Sequence, residues 1–382
     1  MKRYTKFLLF SPLILFFVLE FLFRYGYRGT RICHIRTERI GHLLGNVDSF
    51  LAQKSFGGVE PTNLIFVGSS KVCNNVALGM VREVLRTYRH GFHYYAAYRV
   101  LVTLGITNAI YVLPSDQDVS GLLVRTSRQF AVPKAVLEVT EFFLHEHGVD
   151  RFFTTIVRDQ AYLENQFRRT FDYHTCRNAN PVVHFSAANK FALKYDLVGV
   201  RMGIINDYGL PNKFSGLIDL SKHADSPLLD IGLVDKCIFF SNCGSGFSAV
   251  PRALRKPMVN VNQVAINFTG NNVMLFIPKK LWLIEEQRFL KYHEIVASEV
   301  GYIMESHKYR ELGIELVENT EEEIFDAHEE CYQRLMGNFD SDPEMVNLNE
   351  EFKKCYPTDT VTPKFKAPFG EKFMRQNIEL FR

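Results

Sequence analysis

The stretch FSNCGSGFSAVPRALRKPMVNVNQ, residues 240–263, carries the signals of a βαβ unit. It begins at the end of an apolar run, KCIFF at 236–240, and passes at once into small and polar residues at 241–246. An apolar stretch then leads through Lys-Pro into a second strand-like run, MVNV at 258–261. A strand, a loop of small residues and a helix in this order predict the phosphate-cradling half of a βαβ unit.

The small residues of this loop are suited to an anion. Gly244 and Gly246 let backbone N–H groups approach a phosphate closely, and Ser241 and Ser245 add hydroxyl donors. The helix that follows would direct its positive dipole end to the same place. An ordinary tight strand-to-helix turn has the same composition, and such turns are common.

Strand-like and helix-like runs alternate along the rest of the chain, which predicts α/β structure with parallel sheets. At 382 residues the chain is long enough for two Rossmann-like domains. The predicted strands are 31–35, 63–67, 108–113, 151–158, 198–203, 216–220, 236–240 and 258–261. The predicted domains are an apolar N-terminal segment at 1–30, possibly a membrane helix, an acceptor domain at 31–149, a nucleotide-sugar domain at 150–337 and an irregular tail at 338–382.

Net charge and cysteine spacing argue against nucleic-acid binding, a metal site and a disulfide framework. The net charge of +3 gives no bulk electrostatic case for nucleic acid. The seven cysteines are scattered and lack any CxxC spacing, which disfavours a metal site or a disulfide framework and favours a reducing compartment. We expect no metal ion and no cofactor.

Residues 7–23, FLLFSPLILFFVLEFLF, are apolar apart from Ser11, Pro12 and Glu20. This run is at the short limit for a helix that spans a bilayer, and Pro12 and Glu20 weaken a spanning helix further. Basic residues on both sides favour a cytoplasmic body attached to the cytoplasmic face of the membrane. A helix that packs on the protein itself is the alternative.

The densest polar cluster follows the predicted strand at 151–158. Arg158 and Asp159 stand at its end, and Arg201 and Gly203 end the next strand. Between them lie Tyr173, His174, Arg177 and Asn178. Arginines at strand ends can bind a diphosphate through two hydrogen bonds each, and polar groups from several strand ends converge on one pocket. A salt-bridged surface loop is the alternative.

A second loop in the N-terminal half has the same pattern of strand, polar residues and helix. Arg39 and Gly41 precede His42, which would stand at the helix start on the carboxyl edge of its sheet. A histidine in this position can act as a general base near neutral pH. Alternatively, His42 only caps its helix.

The chain also resembles a bacterial family of inferred glycosyltransferases. The resemblance rests on RIGHL at 39–43, RDQAYL at 158–163, YHTCRN at 173–178, VGVRMG at 198–203, IDL at 218–220, SPLLDIGL at 226–233, the SNCGSG loop at 241–246 and KPMVNVN at 256–262. It covers roughly residues 31–335 and implies a GT-B-like arrangement of two Rossmann-like domains. Thr175-Cys176 and Asn242-Cys243 depart from the family pattern, which leaves the donor preference open.

The resemblance implies transfer of a sugar from a nucleotide-sugar donor to a hydroxyl of a glycan or lipid-linked acceptor, without a metal ion. His42 is then the base, with Arg39 and Gly41 on the acceptor side. The implied donor-binding residues are Arg158, Asp159, Tyr173, His174, Arg177, Asn178, Arg201, Gly203, Asp230 as a ribose contact, Ser241, Gly244, Ser245, Gly246 and Asn262. The alternatives are another nucleotide-sugar enzyme, an epimerase or hydrolase, and a non-catalytic membrane-associated scaffold. The sequence does not predict the donor sugar, its base, the stereochemical outcome or the oligomeric state.

Overall fold

A computed structural model describes the chain at residues 11–58, 63–69, 71–85, 88–89, 91–158, 172–203, 210, 213–223, 226–270, 273–359, 361–364 and 366–382. Two compact units divide it: Met1–Asp116 with Arg125–Pro133, and Gln117–Val124 with Lys134–Arg382. The chain passes into the second unit for the last time after residue 133, whereas the sequence analysis placed a single boundary after residue 149. Helix α5 (Lys134–Glu146) belongs to the second unit because it packs on helix α7 (Ser226–Lys236).

The first unit contains a parallel sheet in the order β3-β2-β1-β4. Ile32 pairs with Ile65 and Ile35 with Gly68, so β1 and β2 end together at the carboxyl edge. Its strands are β1 (Arg31–Ile35), β2 (Leu64–Gly68), β3 (Tyr88–Arg89) and β4 (Ile110–Tyr111). Its helices are α1 (Ser11–Arg28), α2 (Val47–Ser55), α3 (Asn75–Val84) and α4 (Phe92–Thr103).

Helix α1 has one face packed on the first unit. Ile14, Val18 and Phe21 are buried in a cluster with Ala97 and Leu101 of α4. Apolar side chains on the other face stay exposed: Leu15, Phe16, Leu19, Phe23 and Tyr27. Among the described residues, no helix has both the length and the apolar character needed to cross a membrane.

The second unit contains a six-stranded parallel sheet in the order β10-β9-β8-β5-β6-β7. Its strands are β5 (Phe152–Val157), β6 (Val198–Arg201), β7 (Leu217–Asp219), β8 (Phe240–Cys243), β9 (Met258–Gln263) and β10 (Leu275–Pro278). In the described part of the second unit, four α-helices connect these strands or precede them: α5 and α7, whose ranges are given above, α6 (Pro181–Tyr195) and α8 (Ala249–Ala253). The predicted α/β class with parallel sheets is confirmed.

A small antiparallel sheet follows, in the order β12-β11-β13. The remaining elements are β11 (Lys280–Leu283), β12 (Arg288–Phe289), α9 (Tyr292–Val296), α10 (Ser306–Glu311), β13 (Ile314–Val317), α11 (Glu321–Met336), α12 (Pro343–Lys353) and α13 (Glu371–Gln376). The last two helices correct the prediction of an irregular tail. Phe369, Phe373 and Phe381 bury their rings around Tyr292, and this packing holds the tail to the core.

Two imidazoles are buried against the larger sheet. Nε2 of His184 lies 2.7 Å from Thr155 Oγ1, and Nε2 of His328 lies 2.7 Å from Ser241 Oγ. Thr155 and Ser241 are opposite each other on the paired strands β5 and β8. Ser241 is therefore fully buried under the sheet, which corrects its predicted place among the hydroxyl donors of the loop.

Burial makes fold stability depend on the protonation of His184, because it lowers the pKa of that imidazole to about 3. The unfolded chain binds this proton below about pH 6.5, and the fold does not. Stability from the neutral imidazole is thus present above pH 6.5 and lost as the pH falls. Each pH unit below that value costs about 1.4 kcal/mol. Asp230, whose pKa burial raises to about 7, acts with the opposite sign.

We therefore compare the wild type with His184→Gln, since ionisable groups away from His184 contribute equally to both; the neighbouring His328 has the same sign as His184. Urea-unfolding free energies between pH 7.5 and 5 should fall more steeply in the wild type, with the difference confined to pH values below about 6.5. Parallel curves for the two proteins would contradict the burial of a neutral His184.

Candidate functional site

The carboxyl edge of the larger sheet gathers polar side chains from three strands. Arg158 follows β5 directly, the Gly244 loop follows β8, and Lys279 follows β10. The backbone N–H of Arg158 donates to the Cys243 carbonyl at 3.3 Å, which continues the pairing of β5 with β8 up to the loop. Ligands in open α/β sheets bind outside this edge.

Arg177 holds the loop against a second chain segment. It ends a 3₁₀ helix (Asp172–Arg177), and its Nη2 donates to the Gly244 carbonyl at 2.6 Å. Gly244 has a φ of +60°, and a Cβ atom at this residue would lie 2.8 Å from the Arg177 carbonyl oxygen. Both the left-handed conformation and the close approach therefore require glycine. The structure thus brings together two of the predicted polar segments.

The loop satisfies part of its own backbone. Ser245 N–H donates to Asn242 Oδ1 at 3.2 Å, and Phe247 N–H donates to Ser245 Oγ at 3.2 Å. Gly246 lies exposed at the outer side of the loop. The helix behind it, α8, has only five residues and contains Pro251. The predicted contribution of a helix dipole is correspondingly small, since the macrodipole sums over aligned peptide units.

The segment around His174 is fixed on its other side by α10 and the residues before it. Nδ1–H of His174 donates to the Met304 carbonyl at 3.0 Å, and Cys176 N–H donates to Ser306 Oγ at 2.8 Å. The pKa of His174 is lowered, chiefly by burial and further by the nearby positive charges of Arg177 and Arg158. The segment is thus a rigid turn between the loop and α10.

A cleft of about 1100 Å³ opens beside this turn. Its lining includes Arg158, Thr175, Asn178, Lys279, Arg310 and Glu318. The Lys279 side chain is almost fully buried, and its Nζ donates to the Asn178 carbonyl at 2.6 Å. The side-chain Oδ1 of Asn178 is buried and accepts no hydrogen bond from the described residues. A polar ligand with a donor group could satisfy that oxygen.

Positive charge accumulates here. Burial raises the pKa of the Cys176 thiol, and the charges of Arg177, Lys279 and Arg158 oppose that rise. The cleft is lined by Arg158, Lys279 and Arg310 on one hand and by Glu315 and Glu318 on the other, so cations outnumber carboxylates among its described charged side chains. Sequence analysis missed Lys279, although its position directly after strand LFIP is the same strand-end signal as that of Arg158. Within the described ranges, no three His, Cys, Asp or Glu side chains are grouped to hold a metal ion.

Several predicted site residues have other partners. Arg201 is buried in an ion pair with Asp219, at 3.1 Å, and lies over the Phe185 ring. The backbone N–H of Asn262 donates to Asn319 Oδ1 at 2.6 Å, which ties β9 to the start of α11. Arg201 and Asn262 thus hold the fold together at the sheet edge.

The remaining predicted donor residues are placed as follows. Asp230 is buried in the middle of α7, where burial raises its pKa to about 7. Gly203 follows β6 with a φ of +106°. Tyr173 is 39% exposed, and its ring centroid lies 4.0 Å from that of His174. Asp159 lies outside the described residues.

The acceptor-side residues lie in the first unit. Gly41 begins a π-helical turn, Gly41–Asn46, and the backbone N–H of Leu43 donates to the Arg39 carbonyl. His42 is half-buried in this turn; its Nδ1 lies 2.9 Å from Asn46 Oδ1 and its Nε2 lies 3.4 Å from Arg36 Nη1. Both ring nitrogens of His42 therefore contact other side chains, so capping its helix does not account for all of its contacts.

Comparison with protein-family models finds no match, and neither does comparison with curated proteins. Solved structures do align. The glycosyl transferase family 9 protein of Veillonella parvula is 10% identical at a TM-score of 0.45, over 81% of this chain and 97% of that one. The E. coli heptosyltransferase WaaC with ADP-2-deoxy-2-fluoro heptose is 10% identical at a TM-score of 0.32, over 61% of this chain and 88% of that one.

The iron-containing dodecameric glycosyltransferase TibC of enterotoxigenic E. coli is 12% identical at a TM-score of 0.38. That alignment spans 65% of this chain and 61% of the other, under two thirds of its length. All three proteins are glycosyltransferases. Likenesses at these identities and TM-scores assign neither fold nor activity to this chain.

The two glycines of the loop provide a matched test of its packing. Gly244→Ala should destabilise the protein by about 1–2 kcal/mol or more, since alanine disfavours a left-handed backbone and would contact Arg177. Gly246→Ala is the control, because a Cβ atom there meets nothing within 4 Å. Thermal unfolding should show a lower midpoint for Gly244→Ala only. Equal midpoints for the two variants would contradict the contact between the loop and Arg177.

Proposed function

We propose that the chain is a glycosyltransferase that moves a sugar from a nucleotide-sugar donor to a hydroxyl acceptor. The observation that carries the proposal is the grouping of Arg158, Arg177 and Lys279 beside the Gly244 loop, at the carboxyl edge of a parallel sheet. Guanidinium and ammonium groups at such an edge suit the diphosphate of the donor.

The chemistry follows from where charge develops. The bond between the anomeric carbon and the diphosphate oxygen breaks, so the leaving diphosphate gains negative charge and the sugar ring gains positive character. Arg158 and its cationic neighbours stabilise the leaving group. The acceptor oxygen bonds to the anomeric carbon, and His42 takes the proton of the acceptor hydroxyl. In this proposal, the side chains of Arg158, Arg177 and Lys279 neutralise the negative charge of the leaving diphosphate.

An epimerase or hydrolase of nucleotide sugars is the second candidate, because Glu315 and Glu318 line the same cleft. Such enzymes use carboxylates around the anomeric carbon. Glu318, however, accepts the backbone N–H of Asn180 at 2.7 Å and faces Lys279 Nζ at 3.4 Å. Glu318 is thus engaged in holding the cleft wall, which favours transfer. Product analysis with the donor that binds separates the candidates.

Arg158→Ala should weaken binding of a nucleoside diphosphate by about 1.5–3 kcal/mol, the loss expected for a charge-assisted hydrogen bond. Arg151→Ala is the matched control, because Arg151 precedes the same strand at the opposite edge of the sheet. A thermal-shift panel of nucleoside diphosphates identifies the base, and calorimetric titration of the two variants then measures the affinity.

Equal affinity in the wild type and Arg158→Ala would remove Arg158 from the donor site. A wild type that responds to no nucleoside diphosphate and to no nucleotide sugar would favour the non-catalytic scaffold instead.

The exposed face of α1 supports a further part of the proposal, attachment to a membrane surface. Leu15, Leu19, Phe23 and Tyr27 recur every four residues, and each is more than half exposed. The opposite face is packed on the first unit, so the helix would lie in the interface. Its acidic residue, Glu20, is paired with Arg24 at 2.8 Å.

Basic residues near both ends of this helix complement anionic headgroups: Arg28 and Arg31 at its C-terminal end, and Lys2, Arg3 and Lys6, which lie outside the described residues. A protein attached in this way meets a lipid-linked acceptor at the membrane surface. The proposal places the body of the protein on the cytoplasmic side.

The double variant Leu19→Glu/Phe23→Glu should lose most of its binding to vesicles containing phosphatidylglycerol, because burying each apolar side chain is worth about 1.5–3 kcal/mol. Phe142→Glu is the control, since Phe142 is an exposed phenylalanine of α5 in the second unit. Vesicle co-sedimentation measures the bound fraction. A wild type that stays in the supernatant at low salt would contradict membrane attachment.

A further inference from the structure

The turn that carries His42 is not an ordinary α-helix. Gly41–Asn46 forms a π-helix that continues into α2. π-Helical turns are rare in proteins, and those that do occur are often found at functional sites. The sequence analysis predicted only a helix that starts at His42. Within the observed turn, the side chains of His42 and Asn46 are in direct contact.

The side chain of Asn46 is oriented by a carbonyl group. Its Nδ2 lies 2.5 Å from the carbonyl oxygen of Pro114, which follows β4. A carbonyl oxygen only accepts hydrogen bonds, so the amide nitrogen of Asn46 must face Pro114. The amide oxygen Oδ1 then faces His42, at 2.9 Å from Nδ1. Because Oδ1 also only accepts, Nδ1 of His42 must carry the proton.

The contact at the other ring nitrogen is longer and is compatible with the same tautomer. Arg36 Nη1 lies 3.4 Å from His42 Nε2, and a guanidinium group only donates. Arg36 is itself held towards Glu38, with Nε 3.5 Å from the carboxylate. In the neutral form of His42, Nε2 is therefore unprotonated, and an acceptor hydroxyl that binds there replaces the long contact with Arg36. A proton acceptor needs that lone pair.

We propose that Asn46 is a positioning residue, which holds His42 in the Nδ1–H tautomer so that Nε2 can accept the proton of the acceptor hydroxyl. The inference rests on the proposed role of His42 as the general base. The hydrogen bond that one imidazole nitrogen makes decides which nitrogen carries the proton. Pro114 thus fixes Asn46, and Asn46 fixes the base.

The tautomer can be measured without any activity assay. In the full chain labelled with ¹⁵N-histidine, the His42 resonances are identified by their loss in His42→Ala. At neutral pH the wild type should show a protonated Nδ1 and an unprotonated Nε2. Asn46→Leu should raise the fraction of the Nε2–H form, whereas Asn46→Gln retains both the acceptor oxygen and the donor group of the amide and should retain the Nδ1–H form. Circular dichroism checks that each variant is folded.

Kinetics supply the second readout. Removing a general base lowers the rate by a factor on the order of 10²–10⁴. Asn46→Leu should therefore lower kcat by at least about tenfold and leave the KM for the donor unchanged. Asn46→Gln should recover most of the loss.

The inference is overturned if His42 of the wild type carries its proton on Nε2, or if Asn46→Leu leaves both the tautomer and kcat unchanged. If His42→Ala keeps full activity, the proposed base is wrong, and the catalytic role of Asn46 fails with it. The two failures are distinguishable, because the first leaves a His42-dependent enzyme and the second does not.

Discussion

The hydrogen bond from Arg177 to the Gly244 carbonyl is the constraint on which the candidate donor site depends. It joins residues 67 positions apart and closes the loop after β8 against the turn at 172–177. The turn is anchored in its place by Ser306, whose hydroxyl accepts the Cys176 N–H. One N–H donor of Arg177 is therefore used to hold the loop, whereas Arg158 and Lys279 line the cleft.

Much of this arrangement could be predicted from local sequence. Apolar runs that end in small or polar residues predicted the ends of β5 and β8, and parallel pairing places those ends at one edge. This is why Arg158 and the Gly244 loop lie together as expected. Lys279 follows the same rule, but the strand before it, LFIP at 275–278, was not among the predicted strands. A strand-end residue can be predicted only where the strand itself is predicted.

The sequence alone could not predict which polar residues are buried and paired with other residues of the core. Arg201 stands at a strand end as Arg158 does, yet the neighbouring strand supplies Asp219, and the pair is buried. Ser241 belongs to the small-residue run, but the alternation of side chains along β8 turns it towards His328. Both outcomes depend on residues distant in sequence. The orientation of the Asn46 amide depends likewise on Pro114, 68 positions away.

The proposed donor site is the cationic edge of the sheet in the second unit. Hydrogen exchange of the full chain with and without a saturating nucleoside diphosphate is the sharpest test of this assignment. Exchange should become slower in the turn at 172–180 and in the loop at 244–248, with α12 unchanged. Protection elsewhere, with both of these segments unaffected, would contradict it.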